Sequence, residues 1–87
     1  MELINKKIDV IAFTGSKGEI KPMRFRIHAD YGQNVVIAID KVISSGSLGN
    51  YKNPVLDFTC ESIIDGVKRL YELRFIVNEV VWYLYRM

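Results

Sequence analysis

The dipeptide Asp65-Gly66 lies between two runs rich in β-branched and aromatic residues. It constrains the chain more than any other feature, because a two-residue turn there fixes a strand pairing that can be checked position by position. Ile64 must face Val67. Cys60 then falls opposite Tyr71, Phe58 opposite Leu73 and Leu56 opposite Phe75, all on one side of the pleat. The other side sets Asp57 against Arg74 and Thr59 against Glu72, so charge is matched where a wrong register could have opposed like charges. A second two-residue turn at Asn78-Glu79 pairs Val77 with Val80, Phe75 with Trp82 and Leu73 with Leu84. It also brings Arg74 beside Tyr83 and Glu72 beside Tyr85. This second turn is chemically the weaker, since glutamate resists the positive φ that its second position demands.

A helix over residues 61–77 is the competing assignment, with Leu70, Leu73 and Val77 at helical spacing. Gly66 in its middle would cost about 1 kcal/mol. Ile63, Ile64, Val67, Tyr71, Phe75, Ile76 and Val77 favour a strand.

Upstream, Lys7 to Phe13 reads as a strand, Gly15-Ser16-Lys17-Gly18 as a turn, and Glu19 to His28 as the returning strand. Placing Thr14 opposite Glu19 pairs Val10 with Met23, Ile8 with Phe25 and Asp9 with Arg24. Pro22 cannot donate to a ladder and belongs at a sheet edge or a bulge. Met23, Phe25 and Ile27 point inward, whereas Arg24, Arg26 and His28 point outward. After a connection at Asp30-Tyr31-Gly32-Gln33, residues 34–43 are apolar at nearly every position, as in a strand covered on both faces or one crossing a barrel. Ser44 to Pro54, dense in serine and glycine, is expected to be a mobile loop. The fold expected is all-β, one domain over residues 1–87: a six-stranded antiparallel meander closed into a small SH3-like or OB-like barrel, which would remove exposed edges.

Composition narrows the setting. No apolar run approaches the roughly 20 residues of a membrane-spanning helix. Met1 to Lys7 lacks the features of a secretory signal, and a single cysteine permits no internal disulfide. The chain is therefore expected in the cytoplasm, with no membrane association. A net charge of +2 is too small by itself to imply a polyanionic partner.

No catalytic pattern emerges. Gly15-Ser16-Lys17-Gly18 lacks the spacing of a P-loop and precedes a strand, where a phosphate cradle needs a helix. Gly46-Ser47-Leu48-Gly49 has neither the lysine nor a helix. The only histidine, His28, and the only cysteine, Cys60, fall on opposite faces of their strands, which argues against a zinc site or a thiol–imidazole pair. The expectation is a non-enzymatic domain with no cofactor and no metal.

Two outward-facing sets remain as candidates for binding. Arg24, Arg26 and His28 with Arg74, Tyr83 and Tyr85 combine cations and rings in the manner that suits single-stranded nucleic acid. Ile11, Phe13 and Ile20, with Val36, Val42 and Tyr83, offer apolar area suited to a protein partner or a homo-oligomer. The second set is the broader signal, so protein interaction or self-association is the leading expectation and nucleic acid the alternative.

Lys21-Pro22-Met23-Arg24-Phe25-Arg26-Ile27, Asp57-Phe58-Thr59-Cys60-Glu61-Ser62 and Tyr71-Glu72-Leu73 together resemble a group of short uncharacterised proteins of Gram-positive bacteria, a resemblance that implies no activity. Trp82-Tyr83-Leu84 is similar to the tripeptide that names WYL domains, SH3-like barrels of bacterial regulators associated with ligand or nucleic-acid sensing. That family continues with further strands bearing a phenylalanine and arginines, where Tyr85, Arg86 and Met87 stand here. No functional residue carries across.

Overall fold

The computed structural model describes residues 1–29 and 31–87. Asp30, placed above in a connection, lies outside the described residues. The described chain forms seven strands: β1 (Leu3–Thr14), β2 (Ile20–Ile27), β3 (Val35–Ala38), β4 (Lys41–Gly49), β5 (Pro54–Ile64), β6 (Val67–Ile76) and β7 (Val81–Arg86). They make one antiparallel sheet in the order β3-β2-β1-β7-β6-β5-β4. The all-β antiparallel class stands as expected. The closed six-stranded barrel does not: the sheet is open, and it has seven strands.

The extra strand arises because the expected single run over residues 34–43 changes neighbours partway. β3 pairs with β2, and two residues later β4 pairs with β5 at the other end of the sheet. Ile39 N–H donates to the Met23 carbonyl, and Asp40 N–H donates to the Glu61 carbonyl. The two edges thus meet at one corner, without a β3–β4 ladder to close the sheet. A buried hydroxyl relay fastens this corner. Ser62 Oγ lies 2.7 Å from the Ala38 carbonyl and 2.6 Å from the Tyr71 hydroxyl. The serine has one proton and gives it to the carbonyl, so the tyrosine donates to the serine.

The expected loop over residues 44–54 is also corrected, since Ser44 to Gly49 continue β4 against β5. Small polar side chains had read as irregular, but pairing with a neighbouring strand overrides weak local propensity. The true turn is shorter. Asn50 Oδ1 accepts hydrogen bonds from the N–H groups of Lys52 and Asn53. Gly49 enters that turn at φ +75°, where an added Cβ would lie 2.4 Å from the Asn53 carbonyl oxygen.

The C-terminal pairing follows the expected register from Ile64↔Val67 through Leu56↔Phe75. Asp65 and Gly66 both take positive φ, as the turn requires. Phe75↔Trp82, Leu73↔Leu84 and Arg74↔Tyr83 also form. Two details differ. The ladder ends at Ile76↔Val81, and residues 77–80 make a longer turn closed by Val80 N–H to the Ile76 carbonyl at 2.9 Å, so Val80, not Glu79, takes the positive φ. A register shift between Glu72 and Leu73 sets Glu72 opposite Arg86 instead of Tyr85.

The β1–β2 register is corrected as well. Gly15 N–H donates to the Glu19 carbonyl, and Gly18 at φ +84° completes a three-residue loop, which leaves Thr14 opposite Ile20. Further along, Ile11 faces Arg24 while Ala12 faces Pro22, so Met23 is the extra residue of a bulge. Pro22 has no N–H for a regular ladder at this point. The bulge buries Pro22 and turns Met23 outward, against the expectation that Met23 points in.

The core lies mainly under β5, β6 and β7: Phe58, Cys60, Tyr71, Leu73, Phe75, Trp82 and Leu84, joined by Ile8, Phe25 and Ile37. Phe75 and Phe58 stack against Trp82, and Phe25 against Tyr71. No helix of the described residues is long and apolar enough to cross a membrane.

Candidate functional site

The register joins the outward basic and aromatic residues into one surface. Arg74 faces Tyr83 on β7, Tyr83 faces Lys7 on β1, and two residues along β1 Asp9 faces Arg26 on β2. The six residues expected to bind nucleic acid therefore do share the outer side of the sheet. Most of their positive charge, however, is already engaged.

On β1–β2, Asp9 Oδ2 accepts hydrogen bonds from Arg26 Nε and Nη2, at 3.0 and 2.6 Å, and lies 2.6 Å from His28 Nε2. Asp9 thus pairs with Arg26 and His28 where Arg24 had been expected. The Arg26 and His28 hydrogen bonds hold the Asp9 carboxyl below its ordinary value. Arg24 stays exposed beside them. With Ile11, Arg26 and Val36 it lines an open depression of about 370 Å³.

On β5–β7 a denser network forms. Glu72 is only 3% exposed although it lies on the outer side, because Arg74 and Arg86 close over it. Arg86 Nε donates to Glu72 Oε1 at 2.8 Å, and Arg74 Nε to Glu72 Oε2 at 3.2 Å. The Arg74 guanidinium stacks on the Tyr85 ring at 3.5 Å, with Arg86 at 5.5 Å from the same ring. Burial, followed by the neighbouring Glu72 carboxylate, pushes the Asp57 carboxyl up to about 6, while Arg74 opposes the shift. Burial acts on Glu72 in the same direction, but hydrogen bonds with Asp57, Arg86 and Arg74 outweigh it and hold its carboxyl below the ordinary value. Asp57 Oδ1 is buried without a hydrogen-bond partner. It lies 3.4 Å from Arg74 Nε.

The apolar set divides. Ile11 and Phe13 on β1 are 60% and 56% exposed, and Val36 on β3, across the intervening β2, is 57% exposed. Ile20 and Val42 are half-buried against the core, against the expectation that they point outward. Tyr83 is half-buried too.

Cys60 is fully buried, and burial pushes its thiol up to about 12, so it carries no thiolate character near neutrality. The Gly15–Gly18 segment is the hairpin loop of β1–β2, and Gly46 to Gly49 lie in β4. Among the described residues no three His, Cys, Asp or Glu side chains gather where they could hold a metal ion.

Sequence reasoning missed the role of Arg86, because the bulge beside Glu72 that brings it into place has no local signature. It also missed β4 as a strand. An irregular segment over residues 44–54 would be about twice the median length of a connection in a compact domain, and that is the available signal.

No family model, no curated protein and no solved structure matches the chain.

Proposed function

We propose that this domain is a non-enzymatic protein-interaction module whose contact surface is the outer side of the β1–β2–β3 arm. The observation that carries this reading is the exposure of Ile11 and Phe13 on β1 and of Val36 on β3, on either side of β2, with Arg24 of β2 at the edge of an open depression. Apolar side chains near Arg24, which has no ion-pair partner among the described residues, suit a protein surface that offers a carboxylate near an apolar patch. The buried, unpaired Cys60 accords with work in the reducing cytoplasm.

The alternative, single-stranded nucleic acid on the Arg/Tyr face, draws on the placement of Arg24, Arg26, His28, Arg74, Tyr83 and Tyr85 on one side of the sheet. It must displace Asp9 from Arg26 and His28 and Glu72 from Arg74. It also finds the Tyr85 face covered by Arg74, where a base would have to stack.

Two titrations followed by amide NMR separate the readings. One adds cross-linked cellular protein fractions, the other a mixed single-stranded oligonucleotide pool at low and high salt. Interaction through the arm predicts shifts at Ile11, Phe13 and Val36 that persist in salt and vanish in an Ile11→Lys/Phe13→Lys variant. Shifts confined to Arg24, Arg26 and Tyr83 on adding oligonucleotide, lost at high salt, would replace it with the nucleic-acid reading.

A further inference from the structure

The sheet is open, so its two end strands decide what it exposes. β3 is short, only four residues. β4 runs for nine residues, pairs along one side with β5, and is exposed at every position except Val42. Natural edge strands are defended by lysines, prolines, inward charges or a covering element. From Val42 to Tyr51 this edge carries no charge and no proline. Its single irregularity, the bulge at Ile43, lies near the corner and leaves Ser44 to Gly49 in regular pairing.

We infer that two copies of this chain associate by antiparallel pairing of β4 with β4 across a two-fold axis, which continues the sheet from one copy into the other. The occupant follows from the strand itself. An antiparallel two-fold pairing is self-complementary, so whatever β4 presents must tolerate its own copy. The centre of β4, Ser44-Ser45-Gly46-Ser47, has only small side chains and no charge to oppose itself. At the start of β4 the opposite charges of Asp40 and Lys41 offset each other, and with the axis at Gly46 Lys52 of the other copy falls opposite Asp40. Exposed Ile43 and Leu48 flank the centre and add apolar contact on either side of the axis.

A nine-residue edge falls well short of the roughly 800 Å² per partner of a standard interface, so the dimer is weak and forms with rising concentration. The pairing uses none of Ile11, Phe13 or Val36, and the arm proposed above to bind a partner stays free in each copy. The inference therefore stands apart from that reading.

Sedimentation of the full chain over a range of concentrations, combined with cysteine cross-linking, tests it. Mass should rise from monomer to dimer. Ser45→Lys/Ser47→Lys, which sets like charges across the axis, should raise the dimer dissociation constant about tenfold or more. Ile11→Lys/Phe13→Lys should leave it unchanged. Ser44→Cys, Ser45→Cys and Ser47→Cys are made singly, with Cys60 buried and silent. Under mild oxidation Ser45→Cys and Ser47→Cys, each one residue from the axis at Gly46, should give more disulfide-linked dimer than Ser44→Cys. The tryptophan emission of Trp82 reports that each variant is folded. A monomer at every concentration overturns the inference, as does the absence of cross-linking from all three cysteine variants. A dimer that survives the β4 lysines but is lost with the Ile11 and Phe13 lysines also overturns it, while supporting the interaction reading of the arm.

Discussion

The two halves of the sheet are built from similar amino acids and come out differently. Among the described residues β5, β6 and β7 supply seven buried apolar side chains, and β1, β2 and β3 supply four, Ile8, Pro22, Phe25 and Ile37. Away from the Asp65-Gly66 turn, near which Ile63, Val67 and Leu70 are exposed, both faces are filled on the β5–β7 side, the inner with aromatic packing around Trp82 and the outer with the Glu72 network. On the β1–β3 side the inner face reaches the core through Phe25 and Ile37, and the outer face leaves Ile11, Phe13 and Val36 in water. The lesson is one of division of labour. The half that is covered twice supplies most of the core, and the half covered once leaves Ile11, Phe13 and Val36 in water.

The largest test of that division is a pair of truncations of unequal expected cost. Leu73 is fully buried at the centre of the twice-covered half, and Leu73→Ala should remove about 2–5 kcal/mol by lost transfer energy and the cavity left behind. Phe13→Ala, though it deletes a larger side chain, should cost no more than about 0.5 kcal/mol, because the ring is more than half exposed. Urea unfolding of both variants measures the difference, and similar losses at the two sites would break the division.

The same contrast explains what was legible in the sequence. The β5–β6 register could be read because Asp65-Gly66 fixes it at the turn and the charge pattern allows no alternative nearby: a shift of two residues would move Asp57 off Arg74. The β1–β2 register could not. A shift of two exchanges Arg24 for Arg26 opposite Asp9 and Met23 for Phe25 opposite Val10, so apolar still meets apolar and charge still meets charge. Alternation sorts faces but is blind to such slips, and only loop geometry and the Pro22 bulge choose between them. β4 was hidden for another reason. Its serines and glycines have little strand preference of their own, and what makes them a strand is the β5 backbone alongside. The outward arginines were legible as positions, but their neutralisation was not, since it depends on Arg26 reaching Asp9 and on the bulge that carries Arg86 to Glu72.

The next test uses acidity, because Asp57 in the filled half and Asp9 on the arm have their carboxyls shifted in opposite directions. Asp57, in the filled half, has its pKa raised by burial to about 6, above its ordinary 3.8. Its folded form binds a proton more tightly than its unfolded form, so its contribution to stability is fully present below pH 3.8 and is lost as pH rises through 6. Asp9, on the exposed arm, has its pKa lowered by Arg26 and His28, and its contribution is present above pH 3.8 and lost as pH falls. Glu72 behaves as Asp9 does, from its own ordinary 4.5. On going from pH 7 to 5 the protein should therefore gain roughly 1 kcal/mol, and Asp57→Asn should abolish that gain while Asp9→Asn should leave it intact. Denaturant midpoints of the three proteins at the two pH values check this. A gain that survives Asp57→Asn would place the titrating group elsewhere.

The smallest expected effect concerns the turns, where the comparison reverses. The exposed arm turns with the residue its geometry asks for: Gly18, at φ +84°, has no Cβ to resist the left-handed region. The filled half does so at Asp65-Gly66 but not between β6 and β7, where Val80 sits at φ +54° with a β-branched side chain that is 75% exposed and gains little by packing. The strain persists because Ile76↔Val81 and the pairs beyond it fix the strand ends, and closing residues 77–80 between them leaves Val80 no other conformation. Val80→Gly should thus stabilise the protein, by about 0.5–1 kcal/mol once the greater freedom of glycine in the unfolded chain is set against the relieved strain. Gly18→Val should do the opposite and cost more than Val80→Gly gains, because the arm has fewer buried contacts with which to hold a strained turn in place. If thermal unfolding shows the two substitutions to be equal and opposite, turn strain is set by local backbone geometry alone. If Gly18→Val costs clearly more, the packing of β5–β7 is what lets the chain tolerate a valine where a glycine belongs.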